Sequence, residues 1–193
     1  MREEIKEILS EELNEMQNNA SEKIYEEYKK NKEKYILDFL QAMDSLLKKC
    51  ILLQEEQKLG AIKYIWINCM RASVETETYK YVLKGYDEKL YYDENEANEI
   101  YVSEYQKKLI KEDKLSLEKL VMKKVIRAKQ YDVRDVQKWY EWNTYIKTMP
   151  REIEDAVVRI KELESFQNTK KDEDIKIYFG EMLEFHQKKY SIV

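Results

Sequence analysis

Glycine, proline and histidine are scarce in this chain, which has three glycines, one proline and one histidine among its 193 residues. Glycine and proline mark turns, and glycine supplies the left-handed backbone that phosphate-binding loops and tight hairpins need. Because glycine occurs only as Gly60, Gly85 and Gly180, neither a Gly-x-Gly-x-x-Gly nor a Walker nucleotide motif is possible. The scarcity of turn residues predicts a mainly helical protein.

Metal and acid–base chemistry is restricted by the single histidine, because histidine is the commonest metal ligand and a frequent proton carrier. The stretch that ends in His186 does not form a Glu-x-x-His ligand pair, and no Gly-x-Ser-x-Gly nucleophile elbow occurs. Structural zinc requires clustered ligands, whereas Cys50 and Cys69 are well separated in sequence. Both cysteines lie in apolar stretches, so we expect buried free thiols. The sequence predicts no cofactor and no metal.

Long apolar runs are also missing. The start of the chain, residues 1–6, is too charged for a signal peptide, and the most apolar region, residues 61–70, is interrupted by Lys63 and Asn68. These features predict a soluble, cytoplasmic protein without a membrane partner. The net charge of −4 argues against a protein dedicated to coating nucleic acid.

Charged and aromatic residues are abundant instead. Charged residues make up 38% of the chain and hydrophobic residues 43%, a composition that suits helices with one buried stripe and a charged outer face. Sixteen tyrosines fit helix flanks and interfaces, because tyrosine covers apolar surface and keeps a wet hydroxyl. The length suits a single domain spanning residues 1–193.

The N-terminal segment carries a narrow apolar stripe at helical spacing, typical of a coiled-coil seam. Its members are Ile5, Leu9, Leu13, Met16, Ala20, Ile24 and Tyr28. We predict that residues 1–20 form a helical arm that projects from a compact body. A second, broader stripe predicts a long helix over residues 21–58, which Gly60 would end.

The rest of the chain is predicted to be mostly helical. Residues 61–74 are apolar on several sides, which favours a core helix, with a buried strand as the competing interpretation. Further helices are predicted over residues 96–111, 115–129 and 132–148, then from Pro150 onward and over residues 181–189.

One β-hairpin is predicted at about residues 76–92, where Tyr79, Tyr81 and Leu83 alternate with other side chains before a turn at residues 85–89. A lone hairpin is marginally stable in water, so a short third strand near residues 175–179 is a candidate to join it. The predicted fold class is mainly α: a multi-helix bundle with a long N-terminal helical region and a small β-hairpin.

Two stretches of opposite charge are candidate partner surfaces. Residues 86–104 contain seven acidic residues and one lysine, and residues 119–138 contain seven basic and two acidic residues. They are either solvated faces that attract each other within the fold or surfaces for a partner. The residues selected for a partner surface are Lys123, Lys124, Arg127, Asp93, Glu94 and Glu96.

The leading functional hypothesis is a non-catalytic intracellular protein that binds another protein or a second copy of itself. The first alternative is nucleic-acid binding through residues 119–138, where basic side chains adjoin Trp139 and Trp142. The second is a carboxylate-dependent hydrolase that uses Asp87-Glu88-Lys89 with Glu75 or Glu77 to hold a metal ion.

Overall fold

A computed structural model describes residues 3–89, 96–181 and 188–191, whose elements group into two units. The helical unit comprises residues 1–31, 71–79 and 103–150, and the sheet unit comprises residues 32–70, 80–102 and 151–193. The folding of the chain as a single domain stays a prediction.

The described part of the chain begins with three helices, and its strands are separated by one helix or by longer runs of helices, except where the second strand precedes the third and the fourth precedes the fifth. In order the elements are α1 (Glu3–Ile8), α2 (Ser10–Lys30), α3 (Lys32–Glu55), β1 (Ile62–Cys69), α4 (Arg71–Glu75), β2 (Lys80–Tyr86), β3 (Ala97–Val102), α5 (Glu104–Lys124), α6 (Gln130–Glu141) with a π-helical turn at Trp142–Ile146, α7 (Arg151–Val157), a 3₁₀ turn at Ile160–Glu162, α8 (Glu164–Asn168), β4 (Lys171–Gly180) and β5 (Lys188–Ser191). None of the helices among the described residues has the length and apolarity that crossing a membrane requires.

The five strands form one mixed sheet in the order β3-β2-β1-β4-β5. The central strand β1 pairs antiparallel with β2 and parallel with β4, so that Ile65 lies opposite Gly85 on one side and Ile177 on the other. The β2–β3 and β4–β5 pairs are antiparallel. The protein therefore has an α/β fold, and the prediction of a mainly α bundle with a small hairpin is wrong.

The segment 61–74 is the first source of that error, because its core is strand β1 rather than a helix. Ile62, Ile65 and Ile67 are fully buried, and the indole of Trp66 stacks on Tyr178 of β4 at 5.1 Å between ring centroids. A central strand with both faces covered is apolar all round, as a core helix is. Periodicity does not distinguish the two, whereas the β-branched isoleucines favour the strand.

The predicted hairpin is the second source of error. Strand β2 does lie within residues 76–92, but it pairs with β1 and with β3, a segment that was predicted to be helical. Residues 90–95, between β2 and β3, lie outside the described residues. A strand does occur near residues 175–179 as part of β4, but it pairs with β1 rather than with β2.

Helix α3 packs against the sheet within the sheet unit. Phe39 meets Tyr101 of β3 edge to face, with ring centroids 5.2 Å apart. Gly85 of β2 lies so close to α3 that a Cβ atom built there would be 2.7 Å from Cys50 Sγ. Cys50 and Cys69 are both buried free thiols, which confirms the prediction for them. Burial raises the pKa of Cys50 to about 12, so its thiol is protonated and unreactive.

The N-terminal stripe is buried within the helical unit. Leu9, Leu13 and Ala20 are almost completely inaccessible to solvent, and the ring of Tyr28 lies 5.9 Å from that of Tyr105 on α5. The stripe is therefore covered by residues of the same chain. The long helical run also divides, because α2 ends at Lys30 and α3 begins at Lys32.

The remaining helix boundaries differ from the predicted ones in detail. Helix α5 extends without interruption over residues 104–124, and α6 begins at Gln130, two residues before the predicted start. Helix α7 follows Pro150 directly, as predicted. Of the predicted helix over residues 181–189, residues 182–187 lie outside the described residues, and β5 begins at Lys188.

Candidate partner surface

The basic residues selected from the sequence lie where α5 ends and α6 begins. Lys123 and Lys124 are the last two residues of α5, where positive charge stabilises the negative end of the helix dipole. Arg127 follows in the turn with a φ of 57°, a left-handed conformation that costs a residue other than glycine about 1 kcal/mol. We call residues 122–131, which contain four basic and no acidic side chains, the basic corner.

Apolar side chains project from the basic corner. Ile126 is 90% exposed, and Met122 and Tyr131 are each 52% exposed. Val125, between them, is buried, and its amide N donates a 2.9 Å hydrogen bond to the carbonyl oxygen of Val121. The corner is therefore anchored by Val125 while Ile126 faces water.

The basic corner ends in the first turn of α6, where Asp132 holds the backbone. The carboxylate of Asp132 is buried and accepts a 3.0 Å hydrogen bond from the amide of Lys129, an arrangement that caps a helix N-terminus. Asp132 is the third residue of α6, and its side chain caps the helix from within the first turn. The ammonium group of Lys129 lies 5.7 Å from the centre of the Tyr131 ring, a cation–π distance.

Not all cations of the basic corner form ion pairs. Lys124 Nζ lies 2.5 Å from Glu12 Oε1 of α2, and this hydrogen bond lowers the pKa of the Glu12 carboxyl. Lys123 and Arg127 are exposed and form no ion pair with any residue in the described parts of the chain. The corner therefore presents two uncompensated cations beside Ile126.

The acidic candidates form a weaker surface. Asp93 and Glu94 lie outside the described residues. Glu96 pairs with Lys84, and Glu99 Oε2 lies 3.0 Å from Lys49 Nζ. The described acidic residues Glu96 and Glu99 are thus paired with lysines of the sheet unit.

The carboxylate proposed for hydrolysis has a structural role. Asp87 is buried, and its two oxygens accept hydrogen bonds from the amides of Gly60 (3.0 Å) and Lys89 (2.8 Å). These bonds join the turn after β2 to the start of β1. No group of three or more metal-ligating side chains occurs within residues 3–89, 96–181 and 188–191, and His186 lies outside them.

The tryptophans next to the basic stretch belong to a separate cleft of about 280 Å³ in the helical unit. Trp142 is buried beneath the guanidinium group of Arg71, which lies 5.1 Å from the indole ring. Trp139 follows Tyr131 by eight residues, which places it about 12 Å further along the helix axis. The tryptophans therefore do not form a stacking surface with the basic corner.

A buried polar cluster centred on Asp113 was not predicted. Asp113 Oδ2 accepts hydrogen bonds from the hydroxyls of Tyr140 (2.9 Å) and Tyr145 (2.7 Å), and Oδ1 accepts one from Lys23 (3.0 Å). Burial, and then the Asp113 charge, raise the pKa of both tyrosines. Both phenols therefore stay protonated and donate to the Asp113 carboxylate, so that the cluster joins α2, α5 and α6 with its π-helical turn.

Glu141 is another buried carboxyl group of the helical unit, beside those of Asp113 and Asp132, and it is only 2% exposed. Burial raises its pKa to about 7, although Lys114 Nζ, 3.8 Å from Oε1, partly opposes this effect. Lys114 lies closer to Glu77, at 2.7 Å. Neither Glu141 Oε1 nor the hydroxyl of Tyr79 makes a hydrogen bond of good geometry to any described residue.

Comparisons with known proteins identify no relative, since no family model, no curated protein and no solved structure matches this chain.

Proposed function

We propose that this protein is a non-catalytic, cytoplasmic binding protein whose basic corner docks onto an acidic surface of a protein partner. The observation that carries the proposal is the exposure of Ile126 between Lys123 and Arg127, two cations without ion-pair partners among the described residues. Together they offer both an apolar anchor and a charge pattern to a partner.

The apolar contribution of the corner favours a protein partner over a nucleic acid. Burying a side chain as large and as exposed as Ile126 releases about 2 kcal/mol, which is a large share of a weak interface. The phosphates of a nucleic-acid backbone attract cations, and the bases stack on exposed aromatic rings. The corner has one such ring, that of Tyr131, and Lys129 already lies near it.

The charge of the corner favours an acidic partner. Lys123 and Arg127 have no local carboxylate to displace, so an incoming acidic group gains attraction without breaking an existing pair. Self-association through the N-terminal stripe has lost its support, because Leu9 and Leu13 are buried in the helical unit.

Fluorescence anisotropy with two probes tests the proposal. The first probe is a labelled peptide that alternates glutamate with leucine, and the second is a labelled single-stranded oligonucleotide. We expect the peptide to bind at low salt and to dissociate as salt screens the charges. Lys123→Glu with Arg127→Glu is expected to weaken peptide binding at least about tenfold, and Ile126→Ser about tenfold.

The matched control reverses two exposed lysines elsewhere, Lys34→Glu with Lys161→Glu, and is expected to change binding little. Oligonucleotide binding that survives Ile126→Ser and fails after the charge reversal at the corner would replace the proposal with the nucleic-acid alternative. Peptide binding that is absent, or equal in all variants, would contradict it.

A further inference from the structure

Strand β3 lies at an edge of the sheet. Residues 97–102 pair with β2 on one side, and no strand of the described residues pairs with them on the other. An edge strand presents a row of backbone N–H and C=O groups that can accept another strand. The open side of β3 is therefore a potential surface for strand addition.

Two backbone groups on that open side are already bonded to side chains. The amide of Ile100 donates a 2.9 Å hydrogen bond to Glu99 Oε1, and Lys49 Nζ donates a 2.8 Å hydrogen bond to the carbonyl oxygen of Asn98. Alternate residues of a strand direct their backbone groups to the same side. Asn98 and Ile100 therefore both face away from β2.

Three side chains hold this arrangement together. Glu99 Oε2 accepts a 2.5 Å hydrogen bond from the Ser45 hydroxyl and lies 3.0 Å from Lys49 Nζ, and both partners come from α3. The Ser45 hydrogen bond, followed by those from the Ile100 amide and Lys49, lowers the pKa of the Glu99 carboxyl despite its partial burial. Glu99 is thus ionised at neutral pH. We call Ser45, Lys49 and Glu99 the edge lock.

A second copy of the chain that paired with β3 would form its hydrogen bonds with the same two groups, the Ile100 amide and the Asn98 carbonyl. In a two-fold antiparallel pairing of β3 centred on Glu99, the Ile100 amide of each copy donates to the Asn98 carbonyl of the other. The two Glu99 residues would then lie opposite each other with Cα atoms about 4.5 Å apart. Like charges directly opposite each other destabilise a strand pair. Glu99 therefore opposes the pairing in two ways, by its charge and by its hydrogen bond to the Ile100 amide.

We infer that the edge lock closes strand β3 to a second copy of this chain, and that β3 pairs with its symmetry mate once the lock is removed. This inference rests on Ser45, Lys49 and Glu99 and does not depend on the basic corner.

Light scattering of the full chain over a range of concentrations tests the inference. Glu99→Thr removes the charge and the side-chain hydrogen bond while keeping a residue that suits a strand. We expect its molar mass to rise roughly twofold relative to the parent chain as two copies associate. The control is Glu96→Thr, which removes an acidic residue and its pair with Lys84 but no contact with the β3 backbone. It is expected to keep the mass of the parent chain.

Two further variants make the result specific to β3. Ile100→Pro in the Glu99→Thr background removes the outward amide without loss of a bond to β2, because proline is accepted on an edge strand. It is expected to restore the parental mass. Lys49→Met frees the Asn98 carbonyl but leaves Glu99 charged and bonded to the Ile100 amide, so we expect it to keep the parental mass.

The inference is wrong if folded Glu99→Thr keeps the parental mass at every concentration, or if it associates in a way that Ile100→Pro does not reverse. Circular dichroism establishes that each variant is folded. Should Glu99→Thr fail to fold, Glu99→Val decides the question, because valine also removes the charge and the hydrogen bond and suits a strand, and an unchanged mass for that variant overturns the inference.

Discussion

Replacing Glu141 by glutamine is expected to remove a pH dependence from the stability of this protein. Burial raises the pKa of Glu141 from an ordinary value of 4.5 to about 7. The charged groups around it are Glu77 on the loop after α4, Lys114 on α5 and Lys138 on α6, and the lysines offset only part of the cost of burial. The native state therefore binds a proton that the unfolded chain releases more readily.

The size of the effect follows from the difference in pKa. A difference of one in pKa corresponds to about 1.4 kcal/mol, so ionising Glu141 costs the native state about 3 kcal/mol. Because the native pKa is the higher one, this stability is fully present below pH 4.5 and is lost as the pH rises through about 7. Glutamine cannot ionise, so the variant lacks this loss.

Urea unfolding followed by tryptophan emission at about pH 5 and about pH 8 measures the effect. Relative to the parent chain, we expect the free energy of unfolding of Glu141→Gln to be about 2.5 kcal/mol larger at the higher pH than at the lower, because a small part of the effect is already lost at pH 5. Glu112→Gln, an exposed carboxyl on α5, serves as the control and should follow the parent chain. Parallel pH profiles for Glu141→Gln and the parent would refute the reasoning.

Two further substitutions test the packing of each unit by the same unfolding assay. Gly85→Ala is expected to destabilise the sheet unit by about 2 kcal/mol, because its Cβ would lie 2.7 Å from Cys50 Sγ. Cys50→Ala should relieve most of that loss in the double variant, and a purely additive double variant would contradict the explanation. Asp113→Asn is expected to cost about 3 kcal/mol, because charged hydrogen bonds from two tyrosines and a lysine are lost. The exposed Asp135→Asn is the control, and equal losses for the two variants would show that burial of the cluster is unimportant.

The helices were easier to predict than the strands. The stripes over residues 5–28 and 35–51 identified α2 and α3, because a helix with one buried face leaves a periodic pattern. Strand β1 leaves none, since both of its faces are covered. Strand β3 has only six residues, Ala97–Val102, over which buried and exposed side chains alternate. Its exposed polar residues resemble those expected at the start of the helix that follows. Pairing with β2, not local preference, decides that it is a strand.

The sequence identified the residues of the basic corner only in part. Charge counting located Lys123, Lys124 and Arg127, but it did not show that Lys124 is neutralised by Glu12 of α2, more than a hundred residues away in sequence. Nor did it identify Ile126 as the exposed apolar residue of the corner, because an isoleucine beside valines in sequence is expected to be buried. Which side of the α5–α6 turn faces water is decided by the packing of Val125.

The sequence by itself determined the amphipathic character of the helices, the high charge of the surface, the burial of the free cysteines and the lack of a glycine-built nucleotide loop. These properties follow from residue type and short-range spacing. The tertiary structure decided the order of strands in the sheet, the bonding of Asp113 and Glu99, and the burial of Glu141. Each of these depends on contacts between segments far apart in sequence, whose free energy is not encoded in any local pattern.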